Sequence, residues 1–354
     1  MRQLIRQIFK SEGYVFATKA ADISKKAGYL KPARLASNEN PSAPSKKALK
    51  QAEEALYSGN RYPDESGRAL KDALVSYHGD YRFVTGVGMD GVIENVIRTI
   101  VECGDKVVVS TPTFSFYRLA VEAQGGVVEN IKRRDDFSVD TDEFIKACKG
   151  AKLAFLCSPN NPTGTVTPVP DIEKILSSID GILFLDNAYI DFCDTDYRLL
   201  MKNHDNLIIG MTMSKAFALA GMRVGYAFVP EWYEPYYIRA QTPFNLNCVS
   251  MAAATGALLD GEYVSDYVSE VSEWRERFIN ESGYPVCQSG ANFVMIDVSP
   301  MTGDEAVEKL AGLGVIVRSC VSFPMLGDSY IRVSIGEPWE NEMFLKAVKE
   351  IKNP

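Results

Sequence analysis

The run Thr212-Met213-Ser214-Lys215-Ala216-Phe217-Ala218-Leu219-Ala220-Gly221-Met222-Arg223-Val224-Gly225-Tyr226 follows an apolar, strand-length stretch over 207–211. It sets a lysine among small and apolar neighbours, with hydroxyls one and three positions before it and an arginine eight positions after it. Desolvation penalises the charged ammonium, so a lysine kept from water loses proton affinity and becomes an amine nucleophile for a carbonyl. Lys215 has the profile of a Schiff-base lysine.

Outward from this run, further short apolar stretches cover 106–110, 127–131, 153–157, 182–185 and 224–229. Several are separated by helix-length segments, the pattern of an α/β fold with a mostly parallel sheet covered by helices on both faces. Ligands on such sheets sit beyond the carboxyl ends of the strands. The polar clusters Pro112-Thr113-Phe114, Ser158-Pro159-Asn160-Asn161-Pro162-Thr163-Gly164 and Asp186-Asn187-Ala188-Tyr189 fall at those ends. A carboxylate closing a buried strand, as Asp186 does, needs a cation, because an isolated charge is poorly solvated there. Gly86-Val87-Gly88-Met89-Asp90-Gly91 opens a helix over 92–101; its free N–H groups and dipole suit a phosphate, with Asp90 as the N-cap.

Beyond residue 245 the pattern changes. A helical segment over about 249–281 has the length to bridge two units. A smaller α/β unit follows, with strands at 291–298, 315–318 and 330–335 and helices at 303–313 and 340–351. The division read from this is a large unit, 40–245, and a small one, 1–39 with 246–354. Residues 1–12 read as an amphipathic segment, and the stretch through Asn38-Glu39-Asn40-Pro41 as an irregular loop. Arg332 places a cation inside an apolar strand, and Arg318 closes another.

Composition excludes several functions. The net charge of -8 gives no general attraction for nucleic acid or anionic membrane, so an anionic ligand must be held by a few placed cations and N–H groups. Two histidines and seven cysteines without a CxxC pair speak against a zinc site and leave the thiols as reduced fillers. No apolar run approaches the roughly 20 residues of a membrane helix, and a charged start unlike a signal peptide points to the cytoplasm.

The Lys215 segment resembles that of class I and II aminotransferases, fold-type I enzymes that use pyridoxal phosphate. The other clusters resemble the motifs of this family in order, from Tyr14 to Gly336. Tyr14 and the Asn38 loop are similar to the opening of its histidinol-phosphate branch and of aromatic-aminotransferase relatives. The resemblance implies a seven-stranded large-unit sheet and covalent attachment of the cofactor at Lys215. It implies that Thr212, Ser214, Arg223 and the Gly88-Met89-Asp90 helix start surround the cofactor phosphate. Phe114 would stack on the ring, Asn161 and Tyr189 would bond its phenolic oxygen, and Asp186 would meet its nitrogen. Tyr62, in Tyr62-Pro63-Asp64, would reach a neighbouring subunit's cofactor in a homodimer. Arg332 would fork onto a carboxylate, Arg318 would meet a distal phosphate, and Tyr14 and Asn38 would fold over the substrate.

Three departures stand out: Met89-Asp90-Gly91 where the family often has Ser-Asp-Glu or Ala-Asp-Glu, Asn187 where it has glutamate, and Phe114 where its histidinol-phosphate members more often have tyrosine. The expected reaction is transamination between histidinol phosphate and 2-oxoglutarate. The nearest rival is an aromatic amino acid aminotransferase, with a threonine-phosphate decarboxylase further off. A cofactor-binding regulator on the same fold would need an added DNA-binding domain, for which the chain has neither length nor charge.

Overall fold

The computed structural model describes residues 2–10, 13 and 18–352. Its strands are β1 Ala33–Arg34, β2 Phe83–Val87, β3 Lys106–Thr111, β4 Val127–Lys132, β5 Leu153–Cys157, β6 Ile182–Asp186, β7 Leu207–Thr212, β8 Val224–Phe228, β9 Phe293–Asp297, β10 Val315–Ile316, β11 Arg318–Ser319 and β12 Tyr330–Ser334. Seven of them form one sheet in the order β2-β8-β7-β6-β5-β3-β4. All run parallel except β8, which is antiparallel to both neighbours.

The central strands explain why apolar runs rather than alternation marked this sheet. Every residue of β5, β7 and β8 is buried, as expected where helices cover both faces. The edge strand β4 mixes Glu129, Asn130 and Lys132 with its apolar residues, and charge on an edge discourages further pairing. A second sheet, β11-β12-β9, is antiparallel, and β1 pairs in parallel with β10.

Several expectations are corrected. Strand β2 was not among the apolar runs, because Phe83-Val84-Thr85-Gly86-Val87 carries glycine and threonine mid-strand; it supplies the seventh strand by pairing with β8. The following helix spans Gly88–Ile100, four residues earlier than its apolar periodicity indicated, so Asp90 lies inside its first turn and is not the N-cap. The helical segment near 249–281 is two helices, Cys248–Leu258 and Gly261–Glu281, broken at Asp260 (φ -125°, ψ 62°). Aspartate followed by glycine favours the break, and Lys47 Nζ takes the freed Leu259 carbonyl at 2.6 Å.

The expected strand over 315–318 is split: β10 joins β1, and after Val317 the chain crosses to β12 as β11. An unbroken apolar run carries no sign of that crossing. The loop before Asn38 contributes β1 for the same reason, with Ala33 N–H donating to Gly314 O at 2.9 Å. In the N-terminal segment, Arg2–Leu4 and Gln7–Lys10 are 3-10 turns, with Leu4, Ile5 and Phe9 exposed. Among the described residues no helix is long and apolar enough to cross a membrane.

Candidate active site

The carboxyl ends of β3, β5, β6 and β7 open onto one cavity of about 410 Å³. β3 leads to Phe114 and β5 to Asn161, while β6 ends on Asp186 and β7 on Thr212, with Ser214 and Lys215 just beyond; all six line it. Arg318 and Arg332 enter from the small sheet, and Asn38 from the N-terminal loop. Met89, Asp90, Tyr189 and Arg223 complete the predicted residues on its wall. Four cationic side chains (Lys215, Arg223, Arg318, Arg332) face three acidic ones (Glu39, Asp90, Asp186). The cavity is therefore cationic within an acidic chain, as an anion site requires.

Lys215 Nζ donates to Ser37 O at 3.1 Å and stands 5.8 Å from the centroid of the Tyr189 ring. Burial, and after it the nearby Arg332 guanidinium, lower its amine from 10.5 to about 8. Above that value the neutral, nucleophilic form dominates. Selective amine labelling of the cofactor-free protein should therefore titrate at Lys215 with a midpoint near 8, and Arg332→Ala should raise it. A midpoint at the ordinary lysine value would contradict this environment.

Asp186 is 3% exposed. Its Oδ2 accepts from Tyr117 Oη at 2.5 Å and its Oδ1 from Ala188 N–H at 2.9 Å. Burial pushes the carboxyl up to about 6 despite these two donors. Among the described residues no cation forms an ion pair with it, so the site has a place for a positively charged ligand atom against Oδ1 and Oδ2.

At the opposite end the helix Gly88–Ile100 begins without a side-chain cap. Gly88 N–H goes to Arg223 O at 2.9 Å, and Arg223 Nη2 pairs with Asp90 Oδ2 at 3.0 Å. The chain can pack this way only with glycines. A Cβ on Gly88 (φ +69°) would run into the Arg223 guanidinium, and one on Gly225 into the backbone of Gly88. Thr212 Oγ1 accepts from Ser214 N–H at 3.1 Å, which turns the chain after β7 towards the same end.

Arg332 is 5% exposed and faces the cavity; its Nη2 donates to Ala36 O at 2.7 Å and its Nη1 to Asn161 Oδ1 at 2.5 Å. Its Nε is buried and has no partner among the described residues. Arg318 and Arg332 are direct register partners on β11 and β12. Like charges placed opposite each other repel unless an anion lies between them. The Arg332 bond also orients the Asn161 amide, leaving Nδ2 as its donor to the cavity. Asn38, at φ +53°, is held by Ser334 and Asn292 and donates from Nδ2 to Tyr189 Oη at 3.1 Å. That bond leaves the Tyr189 hydroxyl hydrogen to be donated elsewhere.

Gly88 shapes the wall rather than lining it. Tyr62 lies away from this cavity, 82% exposed and stacked on Phe244 at 4.6 Å. Tyr14 lies outside the described residues. Sequence reasoning missed Tyr117, because an aromatic that follows a strand looks like core. It also missed Ser37, whose carbonyl holds Lys215, since a backbone acceptor leaves no mark in a sequence. Asn187, which stands where the family has glutamate, donates from Nδ2 to Ser158 O at 2.7 Å and ties β6 to the Asn161 loop.

Residues 31–348 match the family aminotransferase class I and II, and the chain belongs to that family. Histidinol-phosphate aminotransferase of Methanoculleus marisnigri is 63% identical to it over 99% of this chain and 100% of the relative. That of Methanocorpusculum labreanum is 55% identical over the same shares. A crystal structure of histidinol-phosphate aminotransferase from Sinorhizobium meliloti, in complex with pyridoxal-5'-phosphate, has a TM-score of 0.86 at 23% identity and 98% coverage of both chains, which supports the fold.

Pyridoxal phosphate fits this cavity on three observations. The uncapped helix start beside Arg223 suits a phosphate, the buried Asp186, without an ion-pair partner among the described residues, suits a protonated ring nitrogen, and the Lys215 amine, lowered to about 8, suits an aldehyde.

Proposed function

We propose that this chain is a histidinol-phosphate aminotransferase, exchanging the amino group of histidinol phosphate with 2-oxoglutarate at the cavity that Lys215 lines. The observation that carries the reading is the convergence of Lys215, Asp186 and the Arg318–Arg332 pair on one cavity. Bound there, pyridoxal phosphate supplies the electron sink that makes loss of the substrate's α-proton feasible.

The chain's own residues supply placement and proton transfer. Lys215 Nζ takes the α-proton as a neutral amine and then gives it up as an ammonium, a role for which an amine near pH 8 is suited. Asp186 as a carboxylate would keep the ring nitrogen protonated. Asn161 Nδ2 and Tyr189 Oη would donate to the phenolic oxygen and favour its ionised form. Arg223, Thr212, Ser214 and the N–H groups of Met89 and Asp90 would bind the phosphate, with Gly88 giving the guanidinium its room. Phe114 would pack on the ring face, where phenylalanine keeps the contact and gives up only a hydroxyl.

The paired guanidiniums answer the problem of two unlike substrates. Arg332 takes a carboxylate of 2-oxoglutarate, while Arg318 takes its distal carboxylate or, in the other half-reaction, the phosphate of histidinol phosphate. Asn38 closes the substrate end. Arg332→Ala should raise KM for 2-oxoglutarate by roughly 10²-fold or more, because truncation removes a charge-assisted fork. Arg332→Lys should recover little, since ammonium cannot match the fork. An unchanged KM would remove Arg332 from substrate binding.

The reading includes the two-unit division, 40–245 against 1–39 with 246–354, and a homodimer in which Tyr62 reaches the neighbouring cofactor phosphate. The exposure of Tyr62 away from its own cavity supports the second point. An active enzyme that sediments as a monomer would contradict it. Seven unpaired cysteines support a reducing, cytoplasmic setting. The deciding experiment follows conversion of bound cofactor to its amine form with histidinol phosphate, phenylalanine, tyrosine and threonine phosphate in turn. Histidinol phosphate should react with the highest kcat/KM, and preference for an aromatic amino acid would overturn the assignment.

A further inference from the structure

Behind Asp186, off the cavity wall, stands a hydroxyl that the reading above does not use. Tyr117 is fully buried on the helix Phe116–Gln124, which follows β3. Its ring lies face to face with Phe155, centroids 4.8 Å apart and planes 9° apart, and edge-on to Phe114 at 5.6 Å and 86°. These two contacts fix the ring plane, and the hydroxyl donates to Asp186 Oδ2 at 2.5 Å, with the Cys157 thiol also within its reach. An O–H donor on a carboxylate at that length is a charge-assisted bond, about twice as strong as a neutral one. Burial holds the phenol well above its ordinary value, so the group stays a donor across the working range.

The other groups facing Asp186 do not replace it. Ala188 N–H holds Oδ1, Lys215 favours the carboxylate from across the cavity, and Asp90 opposes it. Cys157, the register partner of Asp186 on β5, is held as a neutral thiol by burial. Tyr189 is likewise kept protonated by burial. Arg133 is buried behind Tyr117 and Cys157; its Nη1 and Nη2 donate to the carbonyls of Phe137 and Cys157, its Nε has no partner among the described residues, and none of its nitrogens bonds Asp186. Tyr117 is thus the side-chain donor set against the desolvation of Asp186.

We propose that Tyr117 is a positioning residue for transamination: its hydroxyl holds Asp186 as a fixed, ionised partner for the cofactor's ring nitrogen, while its ring edge sets the Phe114 platform. The proposal rests on the proposed function for its consequence, and on the geometry alone for the state of Asp186. Phenylalanine fills the same space, so Tyr117→Phe removes the bond and keeps the packing.

The test is infrared titration of the Asp186 carboxyl in the cofactor-free protein, with the band assigned by its loss in Asp186→Asn. In Tyr117→Phe the midpoint should rise by about one to two pH units. With 3,5-difluorotyrosine installed at 117, a stronger donor of nearly the same shape, it should fall. In the loaded Tyr117→Phe enzyme, kcat should drop about ten- to a hundredfold with KM little changed, and the acid limb of the kcat profile should move upward in pH. An unmoved midpoint in both variants would overturn the proposal and leave Tyr117 as packing, whatever happens to activity. If the wild-type protein took up no pyridoxal phosphate, the proposed function would fall, and the titration would still decide the role of Tyr117.

Discussion

Lys215→Ala abolishes transamination, with kcat down by at least about 10⁴-fold, because one amine both anchors the cofactor and moves the α-proton. The variant should still bind pyridoxal phosphate, since Arg223, Thr212, Ser214 and the helix start are untouched. It should lack the yellow colour of the lysine-linked cofactor. The chain should fold normally, because Lys215 makes a single hydrogen bond, to Ser37 O, and forms no ion pair among the described residues. Added methylamine, a small diffusible amine, should recover part of the activity. Full activity in Lys215→Ala, or an unchanged visible spectrum, would remove the residue from the chemistry.

Asp186→Asn should separate function from stability. In the loaded enzyme, kcat should fall by roughly 10² to 10³-fold, because the carboxamide cannot hold a proton on the ring nitrogen. Stability of the cofactor-free protein should move the other way. The Asp186 carboxyl is raised from 3.8 to about 6 in the folded chain, so between those values the folded state binds a proton that the unfolded chain has released. Wild-type stability therefore declines as pH rises from 3.8 through 6, and the full cost is present above 6. Asparagine carries no such cost. Above pH 6 the cofactor-free variant should unfold a few degrees higher than cofactor-free wild type, and the order should reverse once both are loaded. Thermal unfolding at pH 5 and 8, with and without cofactor, reads both effects. A cofactor-free wild type that is the more stable at pH 8 would show that the carboxylate already has a cation partner.

Much of the site could be read before the fold because its residues lie at strand ends, and strand ends are marked by polar clusters after apolar runs. Asn161 and Lys215 follow buried strands and Asp186 ends one, so sequence position and cavity position coincide. What escaped reading depends on pairing rather than on local pattern. Strand β2 is stabilised by β8, about 140 residues away, and its own glycine and threonine hide it. The antiparallel course of β8, the split between β10 and β11, and the meeting of Arg318 with Arg332 are likewise set by partners distant in sequence. The helix start at Gly88 was misplaced because its first turn is held by Arg223 O and shaped by Gly225, not by a capping side chain. The Asp260 break was hidden by helical periodicity on both sides of a two-residue interruption.

The most direct measurement of the central claim is borohydride reduction of the protein loaded with pyridoxal phosphate, followed by peptide mass mapping and crystallography of the reduced product. The expected result is a single pyridoxyl group on Lys215 with its ring nitrogen against the Asp186 carboxylate. A label on another lysine, or a ring nitrogen facing any group other than Asp186, would contradict it.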